Sequence, residues 1–426
     1  MLNRTQAPHY KTIEKIDVQH VESFRLDNGI PVYTINAGSQ ELTRIEFIFK
    51  AGTFYQNKPL IAHAASSLIE NGTPTYTANQ LSEAIDFYGS FFETACGYDY
   101  ASLALFSLNK HLDNTLVYIE DIIKHASFPQ EEVSTYLANK KQKHLVNEQK
   151  VNHVARKKFV ELLFGSSHPY GMHPDVADYD NTQRAAIAAF SKEHYHSDNC
   201  TIMVAGHLPA DVAATLNNHF GKGKWGSGAS VYKEYPEARQ ASQKINLVEK
   251  KDAVQSALRV GRRLFNKTHP DYFNFQVLNT VLGGYFGSRL MANIREDKGY
   301  TYGIGSGLSS LVHDGFFYIS AEVGADVTQK ALDEVYKEIE ILQNDLVPEA
   351  ELETVKNYIL GQFLRSVEGP FALADKYRAI WEFGLDYGYY QKYFDAVKHS
   401  KPDSLREMAG KYLKKQDLFE LVVGRK

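Results

Sequence analysis

The stretch Gly283–Gly307, GGYFGSRLMANIREDKGYTYGIGSG, holds the densest set of structural and chemical signals in the sequence. It opens with a loop carrying Gly283, Gly284 and Gly287, where the backbone can adopt a positive φ or approach a ligand closely. A short helix follows, and the chain turns at Gly299 into a strand. The sequence therefore predicts a glycine loop, a helix and a strand in succession.

Two polar side chains, Arg295 and Tyr302, lie seven residues apart across the Gly299 turn. A guanidinium fork and a phenol donor can together hold a peptide carbonyl or a developing oxyanion. The alternative is structural, with Arg295 on the surface and Tyr302 half-buried in its strand. Spacing alone favours this structural alternative, so the interpretation depends on the rest of the chain.

The order of elements predicted for the first half of the chain recurs in the second half, around Gly299. The first half predicts a hairpin over Phe24–Ala37, a short helix over Leu60–Glu70 and a long hairpin over Phe91–Leu108. Helical spacing then extends from Leu112 to Phe164 with a break at Pro129, and Asn199–Gly206 closes the half as a strand.

Four landmarks return at nearly constant separation. The pairs are Gly52 and Gly261, where strands are predicted to end, Gly89 and Gly299, Pro129 and Pro348, and Gly206 and Gly424, at offsets of 209, 210, 219 and 218 residues. Such a constant offset indicates a duplicated unit of roughly 210 residues. We predict an α+β fold of two homologous halves, each an antiparallel sheet packed with helices, that face each other across a cavity. The predicted domains are 1–220 and 244–426, and the Gly-, Ser- and Lys-rich segment 221–243 is the predicted linker.

Composition excludes several classes of protein. With 47 basic and 51 acidic residues among 426, the formal net charge of −4 gives no basic excess for nucleic acid. No stretch approaches the ~18 apolar residues of a membrane span, and residues 1–15 lack the apolar run of a signal peptide. We expect a cytoplasmic protein without nucleic-acid or membrane partners. Cys96 and Cys200 are interpreted as buried free thiols, because their spacing fits no metal or redox motif.

His63 lies on the predicted helix over Leu60–Glu70, in the string His-Ala-Ala-Ser-Ser. Positions i and i+4 share a helix face, so a His-x-x-Glu-His string there would supply two imidazoles to zinc and one carboxylate as base. This chain has the first histidine, while Ser66 and Ser67 occupy the positions of the base and the second histidine. The helix is therefore predicted to lack a catalytic metal site.

With these residues in view, the segment GTFYQNKPLIAHAASSLIENGT (52–73) resembles the metal-helix region of the pitrilysin/insulinase (M16) family of zinc peptidases, the group with the inverted zinc motif. The resemblance covers nearly the whole chain, including the His168-Pro-Tyr-Gly string and the glycine-rich loop. It implies two homologous α+β halves and a chamber, often of two chains, that encloses unfolded peptides. It also implies that Arg295 and Tyr302 bind substrate and stabilise the transition state, and that Gly283, Gly284 and Gly287 form the substrate loop.

The resemblance also shows where this chain departs from the family. The family's third metal ligand is a glutamate on a later helix, and Glu148 is the best match. His63 and Glu148 would then be remnants, and two protein ligands cannot replace the usual three at a catalytic zinc. By the internal repeat, Arg295 and Tyr302 correspond to Ile85 and Phe92, so the polar pair belongs to the second half alone.

A rebuilt metal site is the alternative to this loss. His144 and Glu148 are four residues apart, and His153 is close by, so a site with His63 is conceivable. Exposed polar side chains on a long charged helix are the commoner arrangement, and we prefer it here. His168 and His173 are interpreted as structural.

The preferred functional hypothesis is a non-catalytic subunit of a heterodimeric zinc metallopeptidase that cleaves unfolded peptides. This chain would bind no cofactor, would close the chamber and would present Arg295 and Tyr302 to the zinc site of a homologous partner with an intact His-x-x-Glu-His motif. The alternative is a catalytically inert structural or peptide-binding homologue, like the core subunits of respiratory complexes that resemble this family. An active peptidase with altered metal ligands is a third possibility.

Overall fold

A computed structural model of the chain describes residues 20–226 and 237–426, and two sheets form its framework. The first sheet has the strand order β1-β2-β6-β3-β5-β4. Its strands are β1 (Glu22–Arg25), β2 (Pro31–Asn36), β3 (Leu42–Phe49), β4 (Phe91–Cys96), β5 (Ala101–Leu108) and β6 (Cys200–Gly206). The predicted hairpins and the closing strand are confirmed.

The second sheet repeats this order without a counterpart of β1 in the described residues. Its order is β7-β11-β8-β10-β9, formed by β7 (Ile245–Glu249), β8 (Gln255–Leu264), β9 (Thr301–Ser310), β10 (Gly315–Gly324) and β11 (Phe419–Gly424). Each sheet is antiparallel except for one parallel pair, β2 with β6 and β7 with β11. Because these parallel pairs occupy equivalent positions, the two sheets share one topology, as the internal repeat predicts.

Three of the four landmark pairs also share backbone geometry. Gly89 and Gly299, which each precede an edge strand, have φ of 64° and 65°. Gly206 and Gly424, which end the closing strands, have φ of 139° and 140°. The prolines Pro129 and Pro348 both stand directly before a long helix, with φ/ψ of −53°/138° and −55°/138°. A positive φ explains the glycines, because side chains with a Cβ rarely adopt it.

The fourth pair, Gly52 and Gly261, is not equivalent, and the prediction that a strand ends at Gly261 is wrong. Strand β8 continues through Gly261 to Leu264, where it pairs with β10. A Cβ on Gly261 would lie 2.0 Å from the carbonyl oxygen of Phe317. Glycine is required there by the close approach of the neighbouring strand rather than by a turn.

Fourteen α-helices surround the sheets in the described residues. Those of the first half are α1 (Ile61–Leu68), α2 (Ala78–Phe87), α3 (Leu112–His125), α4 (Gln130–Asn147), α5 (Val151–Phe164), α6 (Val176–Asn181), α7 (Arg184–His194) and α8 (Val212–Leu216). Those of the second half are α9 (Tyr272–Asn279), α10 (Thr328–Asn344), α11 (Glu349–Arg365), α12 (Pro370–Trp381), α13 (Gly388–His399) and α14 (Pro402–Tyr412). Thr280–Gly284 and Met291–Asp297 are short π-helical segments of the second half.

Each half sends one helix onto the sheet of the other. Helix α5 packs against β8 and β11 of the second sheet, and α12 packs against β2 and β6 of the first. A buried ion-pair group supports the contact of α12 with the first sheet. The Glu46 carboxylate on β3 accepts hydrogen bonds from Arg378 of α12 and, at 3.0 Å, from Arg44. This exchange holds the two halves together.

A second polar contact joins the halves beside α5. The Tyr170 hydroxyl donates to Asp99 Oδ1 at 2.5 Å, and the Val312 amide of the second half donates to Asp99 Oδ2 at 3.1 Å. His313 stacks on Phe54 with ring centroids 4.3 Å apart. Burial raises the pKa of Asp99, while these hydrogen bonds oppose that effect.

The predicted linker 221–243 falls partly outside the described residues, at 227–236. Residues 1–15, on which the prediction about a signal peptide rests, lie wholly outside them. Before that gap, Trp225 packs into the core of the first half and donates to the Phe220 carbonyl at 3.1 Å. The domain boundaries remain predictions. Among the described residues, none of the helices combines the length and the apolar character that a bilayer crossing requires.

Candidate functional site

The helix that would carry the metal, α1, packs through small residues. Leu60 precedes it with a φ of 73°, and Ala62, Ala64 and Ala65 are buried against the first sheet and its neighbours. His63 lies on the opposite side, exposed to a cavity between the halves. Burial by the cavity wall and then the charge of Lys140 lower the pKa of His63, which favours the neutral imidazole.

Ser66, at the position of the catalytic base, is 1% exposed and faces into the protein. Its hydroxyl lies near that of Tyr195, and neither makes a well-formed hydrogen bond within the described ranges. Burial raises the pKa of Tyr195, so the phenol stays neutral. A carboxylate at position 66 would meet this neutral, dehydrated surface, where an unpaired charge is strongly disfavoured.

Ser67, at the position of the second histidine, is half-buried beside the Tyr136 hydroxyl on α4. Burial raises the pKa of Tyr136, and Ser67 opposes the shift as a hydrogen-bonding neighbour. A serine hydroxyl is a weak ligand for zinc compared with imidazole or thiolate. His63 is therefore the one strong zinc ligand on this face of α1.

Glu148, the third predicted ligand, is bound by basic side chains. Its carboxylate accepts from Lys157 Nζ at 2.5 Å and lies 3.8 Å from His153 Nε2, and its backbone carbonyl accepts from Lys250. Burial would raise the pKa of Glu148, but the hydrogen bond and charge of Lys157 outweigh it and lower the pKa. The ionised carboxylate is thus already neutralised by a neighbouring cation.

The alternative of a rebuilt metal site is not supported by the geometry. Among the described residues, no group of three or more His, Cys, Asp or Glu side chains is arranged to hold a metal ion. His144 is buried, with its ring 5.2 Å from that of Tyr179, so the expectation that it is exposed on a charged helix is wrong. The donors His63, Ser66, Ser67 and Glu148 do not fit a catalytic zinc, and no step at zinc can be derived for this chain.

Arg295 and Tyr302 form a connected pair at the start of β9. Arg295 Nε donates to the Tyr302 backbone carbonyl at 3.0 Å, and its guanidinium carbon lies 4.7 Å from the centre of the Phe286 ring. The contact of Nη1 with Glu296 is long, at 3.7 Å. The guanidinium is therefore oriented by one hydrogen bond from Nε and by the Phe286 ring, while its Nη groups can still donate hydrogen bonds to a ligand.

Tyr302 is 94% exposed, so the structural alternative of a half-buried strand tyrosine is wrong. Its hydroxyl makes no hydrogen bond with any side chain or backbone group in residues 20–226 and 237–426. A large aromatic side chain that projects fully into solvent gains nothing from the core of its own chain. It is available for contact with another molecule.

The glycines before this pair serve packing within the chain, and the predicted loop is wrong for two of them, because Gly283 and Gly284 end the helical segment Thr280–Gly284. Gly283, Gly284 and Gly287 all lie outside the positive-φ region. A Cβ on Gly283 would lie 2.7 Å from the backbone nitrogen of Ser306 on β9, and one on Gly287 would lie 2.8 Å from the Tyr285 ring. Glycine is needed at these positions because neighbouring residues of the same chain approach the backbone closely. The role of these glycines toward substrate remains a prediction.

A cavity of about 1850 Å³ separates the two halves. His63 on α1, the end of β4 with Cys96, and His173 line it from the first half, and residues of β8, β9 and β10 line it from the second. Cys200 is buried as predicted, but Cys96 is partly exposed because it borders this space. Neither Arg295 nor Tyr302 lines the cavity, but Tyr302 lies on β9, the strand whose Leu308 and Ser309 border it.

The sequence interpretation missed the basic character of this cavity. Eight lysine and arginine side chains line it, against the carboxylates of Asp252 and Glu322. The signal was visible as a dense run of basic residues between Lys140 and Lys158, which we interpreted as a solvated helix face. Periodicity alone does not tell which side of α4 and α5 faces the opposite half.

Two family models match the chain. The model described as insulinase, peptidase family M16, covers residues 32–165, and the model described as peptidase M16 inactive domain covers residues 181–359. The chain is 25% identical to the uncharacterized zinc protease YmxG of Bacillus subtilis over 358 residues, which are 82% of this chain and 85% of that protein. It is 21% identical to the probable inactive metalloprotease YmfF of the same species, over 49% of this chain and 48% of that one.

The fold is shared with a crystal structure of a peptidase M16 inactive domain from Pseudomonas fluorescens. The TM-score is 0.85 at 21% identity, over 95% of this chain and 98% of the other. The structural similarity shows the fold, while the family models and the serines on α1 support an M16 homologue that is non-catalytic by itself. The chain belongs to the insulinase family of peptidases, M16, and lacks the intact metal-binding motif of that family.

Proposed function

We propose that this chain is the non-catalytic subunit of a heterodimeric zinc peptidase that cleaves unfolded peptides. The observation that carries the proposal is an asymmetry between its halves. In the first half the base position, Ser66, is buried and the remnant carboxylate of Glu148 is neutralised by Lys157. In the second half Arg295 is oriented and Tyr302 projects into solvent.

The chemistry of the pair suits action on a site in another chain. The outer guanidinium donors of Arg295 and the phenol of Tyr302 can hydrogen-bond a substrate carbonyl and hold negative charge that develops on its oxygen. Neither residue can activate water at neutral pH. A homologous partner with an intact His-x-x-Glu-His motif would therefore supply zinc and the base, and this chain would close the chamber around the peptide.

The subunit would work in the cytoplasm. Cys96 and Cys200 are both free thiols in the described structure, which suits a reducing compartment. The alternative function, an inert scaffold or peptide-binding protein, would use the same fold and cavity but would leave Arg295 and Tyr302 without a role. We prefer the subunit hypothesis because it explains the exposure of Tyr302.

The test is to co-purify the native complex and assay it beside the isolated chain. We expect the isolated chain to contain less than stoichiometric zinc by elemental analysis and to leave a fluorogenic unfolded peptide uncleaved. Mixing it with the partner that carries the intact motif should restore cleavage above the rate of the partner alone. One zinc per isolated chain, or an unchanged rate with a demonstrated complex, would contradict the proposal.

A further inference from the structure

The cavity between the halves is far more basic than the chain as a whole. The formal net charge of the protein is −4, yet eight cationic side chains and two carboxylates line this one space. Lys140 and Lys143 lie one turn apart on α4, and Arg156 projects from α5. We call this cavity the basic chamber.

Most of these cations lack a carboxylate partner. Lys157 is paired with Glu148, but the other seven cationic side chains of the basic chamber form no ion pair with any side chain in the described ranges. The Glu322 carboxylate accepts from Asn152 at 2.8 Å, and Asn152 in turn accepts from Arg259. Positive charge is thus concentrated in a space where the protein supplies little negative charge to balance it.

Burial and the neighbouring positive charges together lower the pKa of two groups in the basic chamber. Burial first, and then the charge of Lys143, lower the pKa of Lys140, while burial and then Lys140 lower the pKa of His63. Like charges in a partly enclosed space disfavour one another, and an anionic ligand would relieve that repulsion.

Two features favour a polypeptide as the ligand. The chamber, at about 1850 Å³, is larger than the ~300–1,000 Å³ of ordinary small-molecule pockets. The edge strands of both sheets border it, β4 at Cys96 and β9 at Leu308 and Ser309. Edge strands carry unpaired backbone groups that an extended peptide can pair with, whereas a phosphate backbone cannot form such a ladder.

We propose that the basic chamber binds acidic polypeptide segments, with Lys140, Lys143 and Arg156 contacting their carboxylates. Binding of an acidic segment is a property of this chain alone. That such a segment is a substrate rests on the proposed function. It names the substrate class as extended peptides rich in Asp and Glu.

The experiment measures fluorescence anisotropy of the full isolated chain with three labelled probes of equal length. The probes are a peptide of alternating Gly and Glu, the same peptide with Gln in place of Glu, and oligo-deoxythymidine. We expect the Glu peptide to bind at least ~tenfold more tightly than the Gln peptide. Its affinity should fall as salt rises, because the screening length shortens from about 10 Å at 0.1 M to about 3 Å at 1 M.

The double variant Lys140→Glu/Arg156→Glu should reduce binding of the Glu peptide by ~tenfold or more. The matched control is Lys330→Glu/Lys392→Glu, which makes the same change in net charge at exposed positions outside the chamber lining and should leave binding unchanged. Circular dichroism confirms that both variants fold.

Equal affinity for the Glu and Gln peptides, equal loss in both double variants, or tighter binding of the oligonucleotide than of the Glu peptide would each overturn the inference. The outcome is separable from that of the proposed function. Selective binding without restored cleavage in the complex would contradict the subunit hypothesis alone, and restored cleavage without selective binding would contradict the acidic-peptide inference alone.

Discussion

Arg295→Ala in the reconstituted complex should lower kcat/KM for an unfolded peptide by about 10²-fold, because one lost transition-state donor is worth roughly 2.7–4 kcal/mol. The structure explains why the loss should appear in catalysis rather than in stability. One nitrogen of Arg295 is used within the chain, toward the Tyr302 carbonyl at 3.0 Å, and the remaining contacts are the Phe286 ring and a long approach to Glu296. Such exposed contacts contribute about 0–1 kcal/mol to folding.

Tyr302→Phe isolates the phenol of the same pair. The ring is 94% exposed, so removing its hydroxyl should not change the free energy of unfolding measurably. We expect kcat/KM to fall by about tenfold or more, since each 1.36 kcal/mol of lost transition-state stabilisation is a factor of ten. Arg295→Lys keeps the charge but not the planar fork, and should fall between wild type and Arg295→Ala.

The assay is steady-state cleavage of a fluorogenic unfolded peptide at a saturating excess of the variant subunit over its partner. Size-exclusion chromatography establishes that each variant still forms the complex, and thermal unfolding establishes that it folds. Arg406→Ala, a surface arginine paired with Asp403 on α14, is the matched control and should retain full activity. Full activity in both Arg295→Ala and Tyr302→Phe, with the complex intact, would return this pair to a structural role.

Two further predictions concern stability. Glu46→Ala leaves the guanidinium groups of Arg378 and Arg44 without their shared buried carboxylate and should lower the free energy of unfolding by about 3–5 kcal/mol in urea titration. The control Asp375→Ala removes the exposed partner of Arg44 and should lower the free energy of unfolding by ~1 kcal/mol or less. Equal effects of the two variants would show that the buried ion-pair group does not hold the halves together. Burial, and next the charge of a neighbouring lysine, lower the pKa of His173 to about 4, so the unfolded chain binds a proton at a higher pH than the folded chain does. The free energy of unfolding should therefore decrease as pH falls from about 6.5 toward 4, and His173→Gln should reduce that pH dependence in thermal unfolding. An unchanged pH dependence would assign the effect to other groups.

The sequence predicted local features well. Alternation and turn chemistry placed the hairpin at Gly29 and the long hairpin from Phe91, and both are confirmed. The landmark offsets predicted a duplication, and the matching φ values at Gly89 and Gly299 and at Gly206 and Gly424 bear it out. The sequence predicts a strand end at Gly261, and this is wrong because a glycine looks the same in sequence whether it ends a strand or admits a neighbouring one.

What the sequence by itself determined is the covalent identity of the site: the serines that replace the base and second histidine on α1, and a cationic and a phenolic side chain seven residues apart before and within β9. The first of these follows from spacing along one helix, because residues four apart on α1 share a face wherever that helix packs. Only the tertiary structure decided that Ser66 is enclosed with Tyr195, that Lys157 takes the Glu148 carboxylate and that the basic side chains of α4 and α5 face the opposite half. Those outcomes depend on contacts between residues far apart in the chain, and a helix's own period does not specify which neighbour its polar face will meet.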